Sequence, residues 1–404
     1  DMRPSSKPLA DALAAGATAQ GADVLRVGLC STDMLYYVSG ALDVAGVMLT
    51  ASHNPARYNG LKLCRPGAVP VGEESGLADI KRMVAAGEPA TDADRRGRER
   101  QADDLLERYA AHVRSFVDLG ALRPLKVVAD AGNGMAGHVV PAVFAGLPFE
   151  LVSMYFELDG SFPNHPADPL NPENLRELQA RVVAEGADVG LAFDGDADRV
   201  FLVDEQGATV PSSLVGALVA RLMCEREPGA TVLYNLICSR VVPETIREAG
   251  GVPVRTRVGH SFIKGVMAET GAIFGCEHSG HYYFRDNYRA DSGLIAALVA
   301  LEALSRAGRP LSEVLAPYRR YAASGEINRH VDDPGKVIGE VAGRYPADAA
   351  DFADGLTVEG GDWWFNLRPS NTEPLLRLNV EAATEAEMAR VRDEVLEAVG
   401  GEPA

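Results

Sequence analysis

Three times in this 404-residue chain a short apolar run breaks off into a loop built from residues that do chemistry. Val44-Ala45-Gly46-Val47-Met48-Leu49 leads into Thr50-Ala51-Ser52-His53-Asn54-Pro55. Asp188-Val189-Gly190-Leu191-Ala192-Phe193 leads into Asp194-Gly195-Asp196-Ala197-Asp198-Arg199. Ala272-Ile273-Phe274-Gly275 leads into Cys276-Glu277-His278-Ser279-Gly280-His281. Runs this short and this apolar read as interior strands. Stretches of helical period separate them, among them Pro8 to Ala19, Leu105 to Val117, Glu173 to Glu185 and Ser212 to Arg226. Open α/β sheets present reactive groups outside the carboxyl ends of their strands. The three segments show no sequence repetition, so three similarly wound α/β units facing one cleft is the economical architecture.

From about Tyr321 the character changes to short strands, turns and a closing helix that starts at a Thr384/Glu387 capping signal and stops at Gly400. The expected fold is therefore α/β: three similar mixed α/β domains plus a C-terminal α+β domain around a central cleft. The boundaries fall at 1–100 (serine loop), 101–208 (acidic loop), 209–320 (Glu277 loop) and 321–404. Residues 87 to 104 are charged and poor in apolar side chains, and read as a linker. The glycine-rich loop Ala131-Gly132-Asn133-Gly134 lacks the Lys-Ser/Thr ending of a nucleotide loop and reads as tight strand-to-helix packing.

Charge narrows the function. Fifty-seven acidic against thirty-nine basic side chains leave a net charge of −18. That repels nucleic acid and anionic membranes, so neither is an expected partner, and an anionic substrate needs locally clustered donors. No run is long enough to span a bilayer, and Asp1 to Lys7 carries no apolar signal core. Five scattered cysteines without a C-x-x-C pair suit a reducing compartment. A cytoplasmic location is expected.

The loops suggest chemistry when taken together. Asn54-Pro55 ends regular structure and leaves Ser52 on a loop tip. Alone, Ser-His-Asn-Pro is a polar turn. The alternating run Tyr58 to Leu63 returns Lys62 towards Ser52. Asp194, Asp196 and Asp198 crowd three carboxylates into five residues, which is unfavourable unless a cation neutralises them. Alternate residues of an extended segment face one way and suit a hard divalent ion, here magnesium. A calcium loop also places ligands at these spacings, with Glu205 at its twelfth position, but Arg199 stands where that loop needs glycine. Arg368, Ser370, Asn371 and Thr372, set between prolines, supply the donors of a phosphate receptor. Glu277 and Ser279 offer partners for sugar hydroxyls; His260 and His281, each alone, read as core histidines. Phosphoryl transfer asks mainly for positioning and charge neutralisation, and Ser52 beside a metal held by Asp194, Asp196 and Asp198 would supply both.

The motifs T-A-S-H-N-P, D-G-D-A-D-R, G-C-E-H-S-G-H and R-P-S-N-T-E-P, in this order, resemble the α-D-phosphohexomutase family, and most its bacterial phosphomannomutase/phosphoglucomutase branch. The resemblance spans essentially the whole chain. It implies an isomerase that uses Mg²⁺ and a phosphorylated serine, Ser52 by match, to interconvert hexose 6-phosphate and hexose 1-phosphate. Phospho-Ser52 donates to the free hydroxyl; a hexose 1,6-bisphosphate intermediate turns over and returns its other phosphate to the serine. By match, Ser52 joins the three aspartates at the metal. His53, Lys62, Arg199 and His260 surround the reacting phosphate, with Lys62 the proton-transfer candidate, and Glu277, Ser279 and His281 bind the sugar. The partner is a small phosphosugar; the enzyme would be a monomer or dimer. The family's first strand and arginine-bearing motif precede the point where this chain starts, so the first domain is expected to be N-terminally incomplete. Ile237 stands where many bacterial relatives carry lysine, so the resemblance does not extend to the substrate contact made there. Alternatives are a phosphoglucosamine mutase (which carries Gln where this chain has His278), a metal-dependent sugar phosphatase and a non-catalytic sugar-phosphate binder.

Overall fold

The computed structural model describes residues 1–87, 93–370 and 375–403. Two sheets repeat one topology. In the first, Leu125–Asp130 pairs in parallel with Phe149–Met154 and with Val189–Phe193, and Val200–Asp204 returns antiparallel against Val189–Phe193. In the second, Thr231–Asn235 pairs in parallel with Val252–Thr256 and with Phe274–Cys276, and Tyr282–Phe284 returns antiparallel against Phe274–Cys276. The acidic loop and the Glu277 loop thus occupy the same place in both units, the tip between the third strand and its returning partner. Every residue of Val189–Phe193 and Val200–Asp204 is buried, as strands covered on both faces require.

The N-terminal unit carries the same returning hairpin. Gly46–Leu49 pairs antiparallel with Leu61–Arg65, Met48 opposite Lys62, and the serine loop is the tip between them. Its remaining strands form a separate parallel pair, Val24–Arg26 with Glu99–Gln101. That second strand corrects the linker expected over residues 87 to 104, of which 88–92 lie outside the described residues. Glu99, Arg100 and Gln101 are all exposed, so the strand is held by backbone pairing and carries no apolar pattern to announce it.

One apolar core runs through the first three units. It joins Met34 and Val38 of helix Thr32–Leu42, Tyr109 and Val113 of helix Leu105–Arg114, and nearly all of helices Ser212–Arg226 and Gly293–Ala307. The last of these is apolar all round, the signature of a helix buried on every side. Ser292 caps it by accepting from Ile295 N, and Gly308 ends it at φ 64°. Each of its buried Leu, Ile and Val side chains contributes roughly 1.5–3 kcal/mol.

A buried carboxylate pins the three units at one point. Asp33, fully buried, accepts from the Ser31 hydroxyl, from Tyr109 OH at 2.6 Å and from Ser292 Oγ at 2.5 Å. Burial pushes its pKa up to about 6.

The C-terminal unit has its own core. Phe365, Leu367, Leu376 and Leu378 pack under Val391, Val395 and Val399 of helix Glu385–Val399, which Thr384 caps. On the other face of its six-stranded antiparallel sheet, Trp364 and Glu381 meet the third unit. Arg240 docks it, donating to the carbonyls of Gly360, Gly361 and Trp363, while Arg240 N and Trp364 Nε1 both donate to Glu381. Among the described residues no helix is long and apolar enough to cross a membrane.

Candidate active site

Ser52 sits at the hairpin tip with φ 50°, a left-handed conformation that costs a serine roughly 1–3 kcal/mol and persists only where its surroundings enforce it. Arg3 enforces it from beneath. Its guanidinium donates to the carbonyls of Ser52 (2.8 Å), Asn54 (2.7 Å), Pro55 (3.0 Å) and Tyr58 (3.0 Å), and Arg3 itself is buried. On the other side Gly195 approaches so closely that a Cβ there would lie 2.4 Å from the Ser52 carbonyl oxygen. The serine loop and the acidic loop are therefore packed backbone against backbone.

That packing brings Ser52 Oγ to 2.7 Å from Asp194 Oδ2, with His53 Nδ1 3.2 Å away on the other side. Asp194, Asp196 and Asp198 are all fully buried, on a turn made possible by Ala197 at φ 60°. Arg199 Nε donates to Asp194 Oδ2 at 2.8 Å. Lys62 Nζ donates to Asp196 Oδ2 at 2.8 Å and Asp198 Oδ2 at 2.6 Å. Thr32 Oγ1 donates to Asp196 at 2.6 Å.

Two cations thus face three buried carboxylates. Burial would raise Asp196, but the Lys62 ammonium holds it well below the usual carboxylate range. Burial and the Asp196 carboxylate push Asp198 the other way, well above it. The site is short of one positive charge. Asp196 Oδ1 and Asp198 Oδ1 are buried without a hydrogen-bond partner, and one oxygen from each aspartate lies within 4.8 Å of the others. Hard oxygen donors, converging and under-compensated, fit a divalent cation of the magnesium class.

The Glu277 loop adjoins the acidic loop through a bridge between Arg199 and His281. His281 Nε2 lies 3.8 Å from Asp198 Oδ1, and its Nδ1 meets Ser279 Oγ at 3.0 Å. Burial and the neighbouring His260 keep the His281 imidazole well below its usual pKa. His260 opens helix His260–Thr270 and stacks edge-on to His281, ring centroids 4.3 Å apart. Glu277, an open acceptor by sequence, is already engaged, accepting from Tyr283 OH at 2.8 Å, Gly259 N at 3.2 Å and Asn235 Nδ2 at 3.3 Å. Ile237 is buried with Leu236 and Trp364 in the contact between the third and fourth units.

Arg368 lies on strand Trp363–Pro369 and donates to Glu326 at 2.9 Å; Ser370 follows it, its N–H on Leu375 O at 2.8 Å. Asn371 and Thr372 lie outside the described residues. His278, on the Glu277 loop, is within electrostatic reach of Arg368 and Glu326, and burial brings its pKa down to about 4.

Ser52, His53, Lys62, Arg199, Asp194, Asp196, Asp198, His260, Glu277, Ser279 and His281 therefore form one continuous cluster, with His278 linking it to Arg368. Sequence reasoning missed Arg3 and Thr32, and also Asp291, whose buried carboxylate lies 3.4 Å from His260 and 3.5 Å from the buried Lys264 ammonium. Ser292, which could have been taken for a helix cap ahead of the apolar run from Leu294, is the one local signal near Asp291.

Four family models cover the chain in order: phosphoglucomutase/phosphomannomutase alpha/beta/alpha domain I over residues 1–90, domain II over 107–207, domain III over 211–321 and the C-terminal domain over 326–398. A protein named "Phosphohexose mutases" from Xanthomonas campestris pv. campestris is 41% identical over 397 residues, covering 97% of this chain and 88% of its own. A phosphomannomutase of Escherichia coli K12 is 39% identical over 406 residues, covering 98% and 89%. The crystal structure of a phosphoglucomutase/phosphomannomutase family protein from Burkholderia thailandensis superposes with a TM-score of 0.87 at 34% identity, covering 99% of this chain and 89% of that one. With identities of this size along almost its whole length, the chain belongs to the phosphoglucomutase/phosphomannomutase family.

Proposed function

We propose that this protein is a phosphohexomutase that interconverts hexose 6-phosphate and hexose 1-phosphate through a phosphoserine at Ser52. The observation that carries the reading is Ser52 Oγ at 2.7 Å from Asp194, on the rim of three converging buried carboxylates. Asp194, Asp196 and Asp198, with the seryl oxygen, would hold Mg²⁺, which when bound supplies charge neutralisation for the phosphoryl group.

The chain's own residues divide the rest of the work. The bond from phosphorus to Ser52 Oγ breaks as a bond to the sugar hydroxyl forms, and the hydroxyl proton needs an acceptor. Lys62, the proton-transfer candidate by resemblance, must first give up its own proton. Burial would lower its pKa, but Asp196 and Asp198 hold it well above the ordinary lysine value. We assign Lys62, Arg199 and His53 to the charge and orientation of the transferring group. Lys62 also keeps the proton-transfer role that the resemblance gives it, since His281, pushed well below the ordinary imidazole pKa by burial and by His260, is too weak a base for the step. Glu277 and Ser279 set the sugar's orientation. Arg368 and Ser370, with Asn371 and Thr372 carried over from the motif, grip the phosphate that does not react. Turning a hexose 1,6-bisphosphate in the cleft then presents its second phosphate to Ser52.

The test is incubation with mannose, glucose or glucosamine 1-phosphate in Mg²⁺ and a trace of glucose 1,6-bisphosphate. A 6-phosphate product supports the reading, and the preferred sugar identifies the branch. Release of inorganic phosphate would make the protein a phosphatase; binding without turnover would make it a sugar-phosphate binder.

A further inference from the structure

The glycine-rich loop after strand Leu125–Asp130, Ala131-Gly132-Asn133-Gly134, lies directly behind the acidic loop. Met135 N donates to Gly195 O at 2.9 Å, and a Cβ at Gly134 would lie 2.7 Å from that same oxygen. Gly195 is in turn the residue pressed against the Ser52 carbonyl. Residues 155–168 hold the glycine-rich loop from its far side. Asn133 N donates to Tyr155 O at 2.9 Å, Asn133 Nδ2 to Glu157 O at 2.8 Å, and Asn164 Nδ2 to Asn133 Oδ1 at 2.8 Å. Asn133, Tyr155 and Phe162 all take left-handed backbone conformations, at φ 60°, 54° and 55°. Three such residues in one contact are costly, and they mark a shape that the surroundings must enforce.

An ionic clamp closes that contact. The buried Asp130 carboxylate accepts from Gly132 N at 2.8 Å through Oδ1 and meets His165 Nε2 at 2.9 Å through Oδ2. The other ring nitrogen of His165, Nδ1, lies 2.8 Å from the Pro166 carbonyl oxygen. A carbonyl and an ionised carboxylate only accept, and a neutral imidazole has a single N–H to give. The imidazolium alone satisfies both contacts together. Burial would lower the pKa of this ring, but Asp130, the Pro166 carbonyl and Glu177 raise it above the ordinary histidine value. The Tyr155 ring stands edge-on to it at 5.5 Å, its hydroxyl donating to Glu177, so the charged groups that face His165, Asp130 and Glu177, are both anionic. We propose that His165 is a positioning residue for Ser52. Donating from both ring nitrogens, it fixes Asp130 and residues 155–168 around the glycine-rich loop, and that loop holds Gly195, and with it Ser52 and the three aspartates, in place. The inference rests on the phosphoserine reading for its kinetic consequence alone.

Nitrogen-15 NMR of the full chain should show both His165 ring nitrogens protonated below a midpoint that lies above the ordinary value of 6.5, and Asp130→Asn should lower that midpoint. With mannose 1-phosphate as substrate, kcat should fall as pH rises through the same midpoint, because the doubly donating form is the one that positions the loop. His165→Ala should lower kcat by about 10- to 100-fold, the scale of a displacement near 1 Å, with KM nearly unchanged. His165→Gln, whose amide still reaches towards Asp130, should recover part of kcat and lose that pH dependence. Mg²⁺ affinity, read by calorimetry without turnover, should weaken in His165→Ala by about 2- to 30-fold, the coupling carried by a packed network. A folded His165→Ala protein with wild-type kcat and wild-type Mg²⁺ affinity overturns the proposal. If that variant fails to melt cooperatively, a wild-type pH profile of kcat in His165→Gln overturns it instead. Mg²⁺ binding that depends on His165 in a chain that isomerises no sugar phosphate would keep the clamp and sink the mutase. Isomerisation indifferent to His165 would do the reverse.

Discussion

Replacing Lys62 by methionine removes the ammonium from Asp196 and Asp198 and leaves the hydrocarbon stem in place. The side chain is 27% exposed and its two partners are essentially inaccessible. Breaking a buried pair by deleting one partner typically costs about 3–5 kcal/mol, because the remaining charge stays desolvated. Here one deletion strands two carboxylates, leaving Asp196 Oδ2 with the neutral Thr32 hydroxyl alone while Arg199 serves Asp194. The upper half of that range is expected in EDTA, read as a fall in the unfolding midpoint. Mg²⁺ should reverse the order of responses. In the wild type the ion shares the Asp196 and Asp198 carboxylates with an ammonium; in Lys62→Met it does not. A ligand at about 100 times its dissociation constant stabilises by about 2.7 kcal/mol, so at one fixed Mg²⁺ concentration the variant should gain more than the wild type. Its calorimetric Mg²⁺ affinity should be at least about tenfold tighter, roughly 1.4 kcal/mol. Equal stability of the two proteins in EDTA together with equal Mg²⁺ affinity would refute the charge accounting.

Two other perturbations follow from the same geometry. Gly195→Ala drives a methyl into the Ser52 carbonyl, and since a displacement of about 1 Å in a reacting group can cost on the order of 100-fold, kcat should fall by about that much. Gly16→Ala, within helix Ser6–Ala19 with open space around the new methyl, should leave kcat unchanged; equal rates in both variants would remove the close approach from the account. Asp33, raised by burial from 3.8 to about 6, binds its proton more tightly in the folded than in the unfolded chain. Between those two values stability attributable to it falls as pH rises, by about 3 kcal/mol in all. The stability of wild type relative to Asp33→Asn should therefore decline from pH 4 to pH 6 and level off above. A difference that is flat with pH would show that Asp33 titrates normally.

Much of this was legible in the chain because local chemistry and tertiary role coincided. The strands before Ser52 and Asp194 announce themselves as apolar runs stopped by polar turns, and Thr384 and Gly400 bracket their helix as capping rules demand. The helix Gly293–Ala307 escaped because a segment apolar on every side has no period to read. Helix His260–Thr270 escaped because its opening, Gly-His-Ser, reads as a loop. Glu99–Gln101 is a strand by pairing alone. At the site, the spacing of Asp194, Asp196 and Asp198 marked the loop, since crowding three carboxylates is costly without a compensating cation. Arg3, Thr32 and Asp291 act across the fold on residues far away in sequence. No local pattern marks them, and only the folded chain brings Arg3 under Ser52.

In the proposed reaction a phosphoryl group resides on Ser52 and passes to a sugar hydroxyl rather than to water. Treating the full chain with glucose 1,6-bisphosphate and Mg²⁺, locating the phosphate by peptide mass spectrometry, and then adding mannose 1-phosphate tests it in one sequence. Phosphate is expected on Ser52, none on Ser52→Ala, with discharge into a hexose bisphosphate and no inorganic phosphate released. Turnover surviving in Ser52→Ala, or discharge to inorganic phosphate, would contradict it.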